Sequence, residues 1–330
     1  MKTSWLAVLV SVWLASWSTA RADCDPPSLF DDLDAATRVV VATAPAQIQL
    51  SGVRMRVDQT LAGPRSSHID FAPSMEDIPT AGWQHLVPLD ANGGTVAPCA
   101  LRVVRGRVGR RLVGAARAWL GQRDPDRRVR QLVRLATSPD VQLAEPAARR
   151  LADDPALSSR LDALQVQRLV GVLRRRTDAR TAYLAALMGR LHRLDAVPHM
   201  IDRMTDAGMN ARPVIDALEL LGNHLTPGYR RGFDVHGAER DAIVAHWRQW
   251  YEANRASTDF VERGWRERSI TPPTTRADRM RLVRDGPDRV TRSVALAACE
   301  TRRPDHTPIL GYLMSPLNDA TWTELSQRCR

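Results

Sequence analysis

The chain has 330 residues, a formal net charge of +10, 44% apolar side chains and 25% charged ones. Its only lysine is Lys2, so every other basic residue is arginine; the bias reads as GC-rich coding rather than selection for guanidinium chemistry. Beyond residue 22 no apolar run is long enough to span a bilayer, and no CxxC pair occurs among the four cysteines, which removes the usual zinc-ribbon and thioredoxin-like classes.

Residues 1–22 read as a secretory signal peptide. Lys2 supplies the positive start, Trp5–Trp17 the short apolar run and Ala20-Arg21-Ala22 an A-x-A site. Cleavage is expected after Ala22, which places the protein in the periplasm or outside the cell; an uncleaved anchor is the alternative. Asp23 separates Cys24 from the cut, which argues against lipoprotein acylation. An even number of cysteines in an exported chain points to disulfides. Cys24, Cys99, Cys299 and Cys329 allow three pairings, and their spacing favours Cys24–Cys99 with Cys299–Cys329, one bridge in each region. Each would stabilise its region by about 2–4 kcal/mol.

Charge divides the mature chain. Residues 23–101 carry four basic and ten acidic side chains, a net of −6, and residues 102–330 carry +14. Such asymmetry marks a boundary and lets the two parts attract each other. The expected organisation is a signal peptide over 1–22, a β-domain over 23–105 and an α-helical domain over 106–330.

The first region is strand-like. Asp31–Ala36 suggests a short helix, and Arg38–Ala42 a β-branched strand. In Val53–Leu61 the apolar residues Val53, Met55, Val57 and Leu61 share one face, the pattern of a half-buried strand, and Ala62-Gly63-Pro64 ends it. His68–Phe71, Trp83–Leu89 and Ala97–Val104 offer three more strands. About five short strands in this length predict a small antiparallel barrel. Cys24, the run Ala36–Ala42, the strand Val53–Leu61 followed by Ala62-Gly63, and Gly82-Trp83-Gln84-His85-Leu86-Val87-Pro88-Leu89 together resemble the netrin-like, metalloproteinase-inhibitor type of OB-fold. The resemblance covers about a quarter of the chain and implies the fold. It also suggests a protease-inhibitor-like module as one functional alternative. The family's inhibitors use a free amino-terminal Cys, whereas here Asp23 precedes Cys24 and Cys24-Asp25-Pro26 stands in place of the family's CxC. Nucleic acid is not expected as a partner of this acidic region, whose large aromatics number only Phe30, Phe71 and Trp83.

From residue 106 the period becomes helical. Val129, Leu132, Val133 and Ala136 fall at i, i+3, i+4, i+7, as do Val166, Leu169, Val170 and Leu173, and Leu184, Leu187, Met188 and Leu191. Leu194, Val197, Ile201 and Met204 form a fourth stripe, and Val214, Leu218, Leu221 and Leu225 a fifth. Asp124-Pro125-Asp126, Ser138-Pro139-Asp140 and Asp154-Pro155 read as helix starts or stops. Segments pair every 30–40 residues or so, as in helical-hairpin repeats. Asp195–Ile201, with Pro198 near its start, resembles the first helix of a HEAT repeat. Residues 125–255 resemble a divergent HEAT-like solenoid, and Trp247–Arg255 resembles the aromatic ending of some bacterial HEAT arrays. A non-repeating helical domain is the alternative. The stripe Ile243, Val244, Trp247, Trp250 and Tyr251 suits either an aromatic binding surface or a packed core face, and its spacing favours the core. Helices are further expected around Ala277–Val283, Val290–Cys299 and Ile309–Leu313, with Cys299–Cys329 clamping the end of the array.

Familiar catalytic patterns are absent: no GxSxG, no HExxH and no phosphate loop occurs. The eight histidines are scattered, and none forms an i, i+4 ligand pair. No catalytic, metal or cofactor residues are expected, although Asp234 and His236 in a long Gly-containing loop are the best place for an unrecognised enzymatic site. Arg102, Arg105, Arg107, Arg110 and Arg111, with Arg174, Arg175 and Arg176, form a candidate binding patch for an acidic protein or an anionic envelope component; solvated helix faces are the alternative. The expected fold is α+β and multidomain, a small OB-like barrel followed by an all-α HEAT-like solenoid. The expected role is non-enzymatic binding or scaffolding.

Overall fold

The structure, a computed structural model, describes residues 28–49, 52–73, 77–97, 99–206, 210–230, 235–300 and 319–327. It is mixed α+β, a five-stranded antiparallel sheet followed by many helices. The chain divides into two units, one ending at Arg123 and the other starting at Asp124.

In the first unit, helix α1 (Leu29–Ala35) precedes β1 (Arg38–Thr43), β2 (Val53–Ala62), β3 (His68–Phe71), β4 (Gln84–Leu89) and β5 (Arg102–Val104), and α2 (Gly106–Leu120) follows. These five strands lie where alternation and β-branching place them. The last is shorter than the expected Ala97–Val104. The buried Asp77 accounts for this: its carboxylate accepts the Leu101 backbone N–H at 3.0 Å and the Thr95 hydroxyl at 3.1 Å, which holds the approach to β5 as a loop. The strand order is β3-β2-β1-β4-β5. Where composition led us to expect a barrel, the described strands make an open sheet, because β3 and β5, at its edges, run only four and three residues and do not pair with each other.

Strand β1 is central and buried from Val39 to Ala42. Val40 and Ala42 enter a core with Val53, Met55, Ile69, Phe71, Val87 and Leu89; Val39 and Val41 point the other way, as the two-residue period of a strand requires. Helix α1 is capped by Ser28, whose hydroxyl accepts the Phe30 N–H. Phe30 packs against Trp119 of α2, ring centres 4.8 Å apart, and the Trp119 indole donates to Asp34 at 2.9 Å. Helix α2 therefore belongs with the β-domain. Gly109 permits this closeness, since a Cβ there would lie 2.6 Å from the Val104 backbone carbon.

The second unit begins with α3 (Pro125–Ala136) and α4 (Val141–Asp153). Asp124 caps α3 by accepting the Asp126 N–H, with Pro125 in the first turn, as the Asp-Pro signal requires. The short α5 (Pro155–Ser158) precedes α6 (Ala163–Arg175) and α7 (Arg180–Arg190). A 3₁₀ turn, Leu194–Ala196, leads into α8 (Val197–Met204), and α9 (Arg212–Gly222) and α10 (Gly237–Asn254) follow. The last helices are α11 (Phe260–Glu267), α12 (Arg276–Asp285), α13 (Arg289–Glu300) and α14 (Asp319–Ser326). The apolar stripes of α3 and α6 are buried in full. The fifth stripe is cut short. Asn223 adopts the left-handed conformation that ends α9, so Leu225 lies beyond the helix and is 38% exposed. The expected helix Ile309–Leu313 lies outside the described residues.

Helices pack in two rows. Successive partners α3, α6, α8 and α10 touch along one row, and α4, α7 and α9 along the other; α3 with α4, α6 with α7 and α8 with α9 join the rows. Helices α7 and α9 cross closely at Gly189, where a Cβ would lie 2.5 Å from the Ala217 carbonyl oxygen of α9. Replacing Gly189 by alanine should cost about 1–3 kcal/mol, because the obstacle is backbone and both helices are buried. Gly171→Ala on α6 meets only the far end of Arg175 and should be neutral or slightly stabilising. Urea unfolding of the two variants measures the difference.

Candidate functional site

Helix α2 carries four exposed arginines, Arg107, Arg110, Arg111 and Arg117, opposite the buried Leu112, Val113, Ala116 and Trp119. The helix itself contains no acidic residue, whereas residues 23–101 as a whole carry a net charge of −6. Arg105, at its amino-terminal cap, lies over the Trp83 ring at 4.7 Å, a cation–π contact. Arg102 is different. Its guanidinium turns inward to Asp32 at 3.1 Å and to the Cys99 carbonyl, and Asp32 is only 2% exposed. It ties β5 to α1 rather than adding to the basic face. Arg117 completes the face and escaped the sequence reading because six residues separate it from the Arg110-Arg111 cluster; the helical period brings it back to the same side.

Arg174 and Arg175 occupy the last turn of α6, and Arg176 is its C-cap; all three are exposed. Cations suit a helix carboxyl end. The Arg203 guanidinium donates to the Arg176 carbonyl at 3.0 Å. Burial, with Arg174 as the next contribution, holds the nearby His199 below the usual imidazole range. This second group belongs to the other unit.

His236 is the exposed amino-terminal cap of α10, and Asp234 lies outside the described residues. The aromatic stripe of α10 packs inward: Ile243, Val244, Trp247 and Trp250 are buried, Tyr251 half-buried, and the Trp247 and Trp250 rings meet at 5.3 Å.

A histidine pair also emerges. His224, just after α9, and His246, on α10, place their Nε2 atoms 3.1 Å apart. Their ring planes lie within 9° and their centres are 5.1 Å apart. His224 Nδ1 is 3.3 Å from the Glu267 carboxylate at the end of α11. Burial lowers both imidazoles, against the opposing pull of Glu267 on His224. With Glu267 accepting the Nδ1 proton, His224 Nε2 is left with a lone pair, and His246 donates to it. Neighbouring contacts hold the loop in place. Thr226 donates its backbone N–H to Glu219 at 2.8 Å and accepts the Trp247 indole N–H at 3.0 Å. The Arg268 guanidinium donates to the carbonyl and side-chain oxygens of Asn223. His224 and His246 are 22 residues apart, and no local spacing rule pairs them.

Among the described residues no helix is long and apolar enough to cross a membrane, and no three of His, Cys, Asp and Glu gather as a metal-ligand set. Neither Cys99 nor Cys299 is a free thiol; Cys24 and Cys329 lie outside the described residues. No family model, curated protein or solved structure matches the sequence.

Proposed function

We propose that this is an exported, non-enzymatic binding or scaffolding protein whose basic face on α2 engages an anionic partner, an acidic protein or an envelope polymer. The observation that carries the reading is the set Arg107, Arg110, Arg111 and Arg117, exposed on one helix without an acidic residue. A solvated helix face in a region of mixed charge normally intersperses both signs; a single-sign stripe concentrates potential and steers an oppositely charged partner.

The architecture we infer is an opened OB-type, netrin-like sheet and a HEAT-like solenoid. Joining β3 to β5 would turn the order β3-β2-β1-β4-β5 into a closed five-stranded barrel. The two rows of helices, each touching the next of its own row, are how hairpin repeats stack. Periplasmic or secreted location, with Cys24–Cys99 and Cys299–Cys329 bridges, agrees with the signal-like start and with the absence of a free thiol at Cys99 and Cys299.

Pull-down by the mature protein from its own envelope extract, at low and high salt, tests the reading. Salt-sensitive partners are expected. Exposed charges contribute about 0.2–1 kcal/mol each, so replacing all four arginines by serine should weaken capture roughly fourfold or more. Partners retained by the quadruple variant would remove α2 as the surface, and no partner at either salt would remove scaffolding.

A further inference from the structure

We propose that His224 and His246 form an open two-nitrogen site for a borderline divalent metal ion, Zn²⁺ or Cu²⁺, oriented by Glu267. This site is independent of the basic face on α2. Metal–imidazole bonds of about 2.0–2.1 Å place two neighbouring nitrogens roughly 2.9 Å apart in square-planar geometry and 3.4 Å apart in tetrahedral geometry. The Nε2 atoms of His224 and His246 are 3.1 Å apart, so the pair already has the bite of such an ion. The ring planes are nearly parallel, and centres 5.1 Å apart mean that the rings meet end to end through Nε2; turning each by roughly 35–45° about its side-chain bonds makes the lone pairs converge.

The second requirement is a carboxylate behind a ligand. Metal-binding histidines usually donate their other ring N–H to an acceptor, which fixes the tautomer and raises basicity. Glu267 takes that place on His224, 3.3 Å from Nδ1. Proton balance is simple. His224 keeps its Nδ1–H toward Glu267 and offers Nε2. His246 moves its proton from Nε2 to Nδ1 and offers Nε2, so two neutral imidazoles bind without net proton loss. The charge of Arg268 opposes a cation here, since it lowers His224, but its guanidinium is turned to Asn223 and to Asp288 at 3.5 Å. The His224 side chain is 25% exposed, so water can fill the remaining positions. Trp247 stands edge-on to both imidazoles, at 5.8 and 5.6 Å, and limits their rotation away from each other.

Titration of the metal-free mature protein with Zn²⁺ or Cu²⁺ alone, followed calorimetrically, is the test. One equivalent should bind. His224→Gln and His246→Gln should each lose it, and Glu267→Gln should weaken it by about 10–100-fold. Circular dichroism shows whether the variants fold. Should they not, the electron paramagnetic resonance of the Cu²⁺-loaded wild type decides: nitrogen hyperfine structure from two imidazoles supports the site. Its absence, no stoichiometric binding by the wild type, or wild-type binding by a folded His224→Gln or His246→Gln variant would overturn it.

Discussion

Replacing Arg289 by alanine is expected to destabilise the second unit by about 3–5 kcal/mol near neutral pH, the range for breaking a buried ion pair. Arg289 reaches Asp216 at 3.0 Å and Glu219 at 2.5 Å, two carboxylates on α9 that are 9% and 1% exposed at their side chains. Its guanidinium also lies over Tyr229 at 5.0 Å. Glu219 has few other partners; Thr226 N–H is one. Burial pushes its carboxyl up to about 7, against the opposing pull of Arg289. The sign of the pH effect follows. The folded protein holds a proton on Glu219 between about pH 4.5 and 7, where the unfolded chain has released it. Stability from this group is therefore greatest at the acid end and declines as pH rises through that window, by on the order of 3 kcal/mol. Without Arg289 the carboxyl rises further, and the decline should extend into the alkaline range. Glu219→Gln, which keeps an acceptor for Thr226, should flatten the profile. Urea midpoints taken from about pH 5 to about pH 8 measure all three proteins. A profile of equal slope in wild type and Glu219→Gln would refute the assignment.

Arg180→Ala should be as damaging, about 3–5 kcal/mol, for a different reason. Arg180 is 0% exposed. It donates to the carbonyls of Ala136 and Ser138, at 3.0 and 2.5 Å, and to Asp178 at 2.6 Å. The first two are carbonyls at and just beyond the end of α3, where a helix leaves its acceptors unpaired and its dipole is negative. Arg180 thus starts α7 by closing α3. Alanine removes the cation, leaves two carbonyls without this donor and opens a cavity. Lysine should recover only part of the loss, because a single ammonium cannot reproduce the planar fork. Chemical unfolding measures the ranking, wild type above Arg180→Lys above Arg180→Ala. A loss under about 1 kcal/mol for alanine would mean that solvent replaces the contacts.

Neither arginine stands out from the chain. Arg180 follows Asp178-Ala179 and Arg289 follows Asp288, as many arginines here follow acids. Both act through groups more than 40 residues away, Ala136 for Arg180 and Asp216 for Arg289. A separation of 22 residues was enough to hide the pairing of His224 with His246. Distance also concealed the inward turn of Arg102 to Asp32, 70 residues earlier, which takes that residue out of the expected basic patch. The basic face of α2 was partly legible, since Arg107, Arg110 and Arg111 are close in sequence and the helical period is enough to align them.

What the chain determined by itself is the type and place of its elements. Alternation placed a strand at Val53–Leu61, one residue short of β2, apolar spacing placed α3 and α6, and Asp-Pro pairs marked helix starts. These are local effects, set by the direction in which successive side chains leave the backbone. Tertiary structure alone decided that the sheet stays open, that Glu219 is buried beside Arg289, and that the Nε2 atoms of two distant imidazoles meet. Each of these depends on which element covers which, and burial by a distant neighbour leaves no period in the sequence that encodes it.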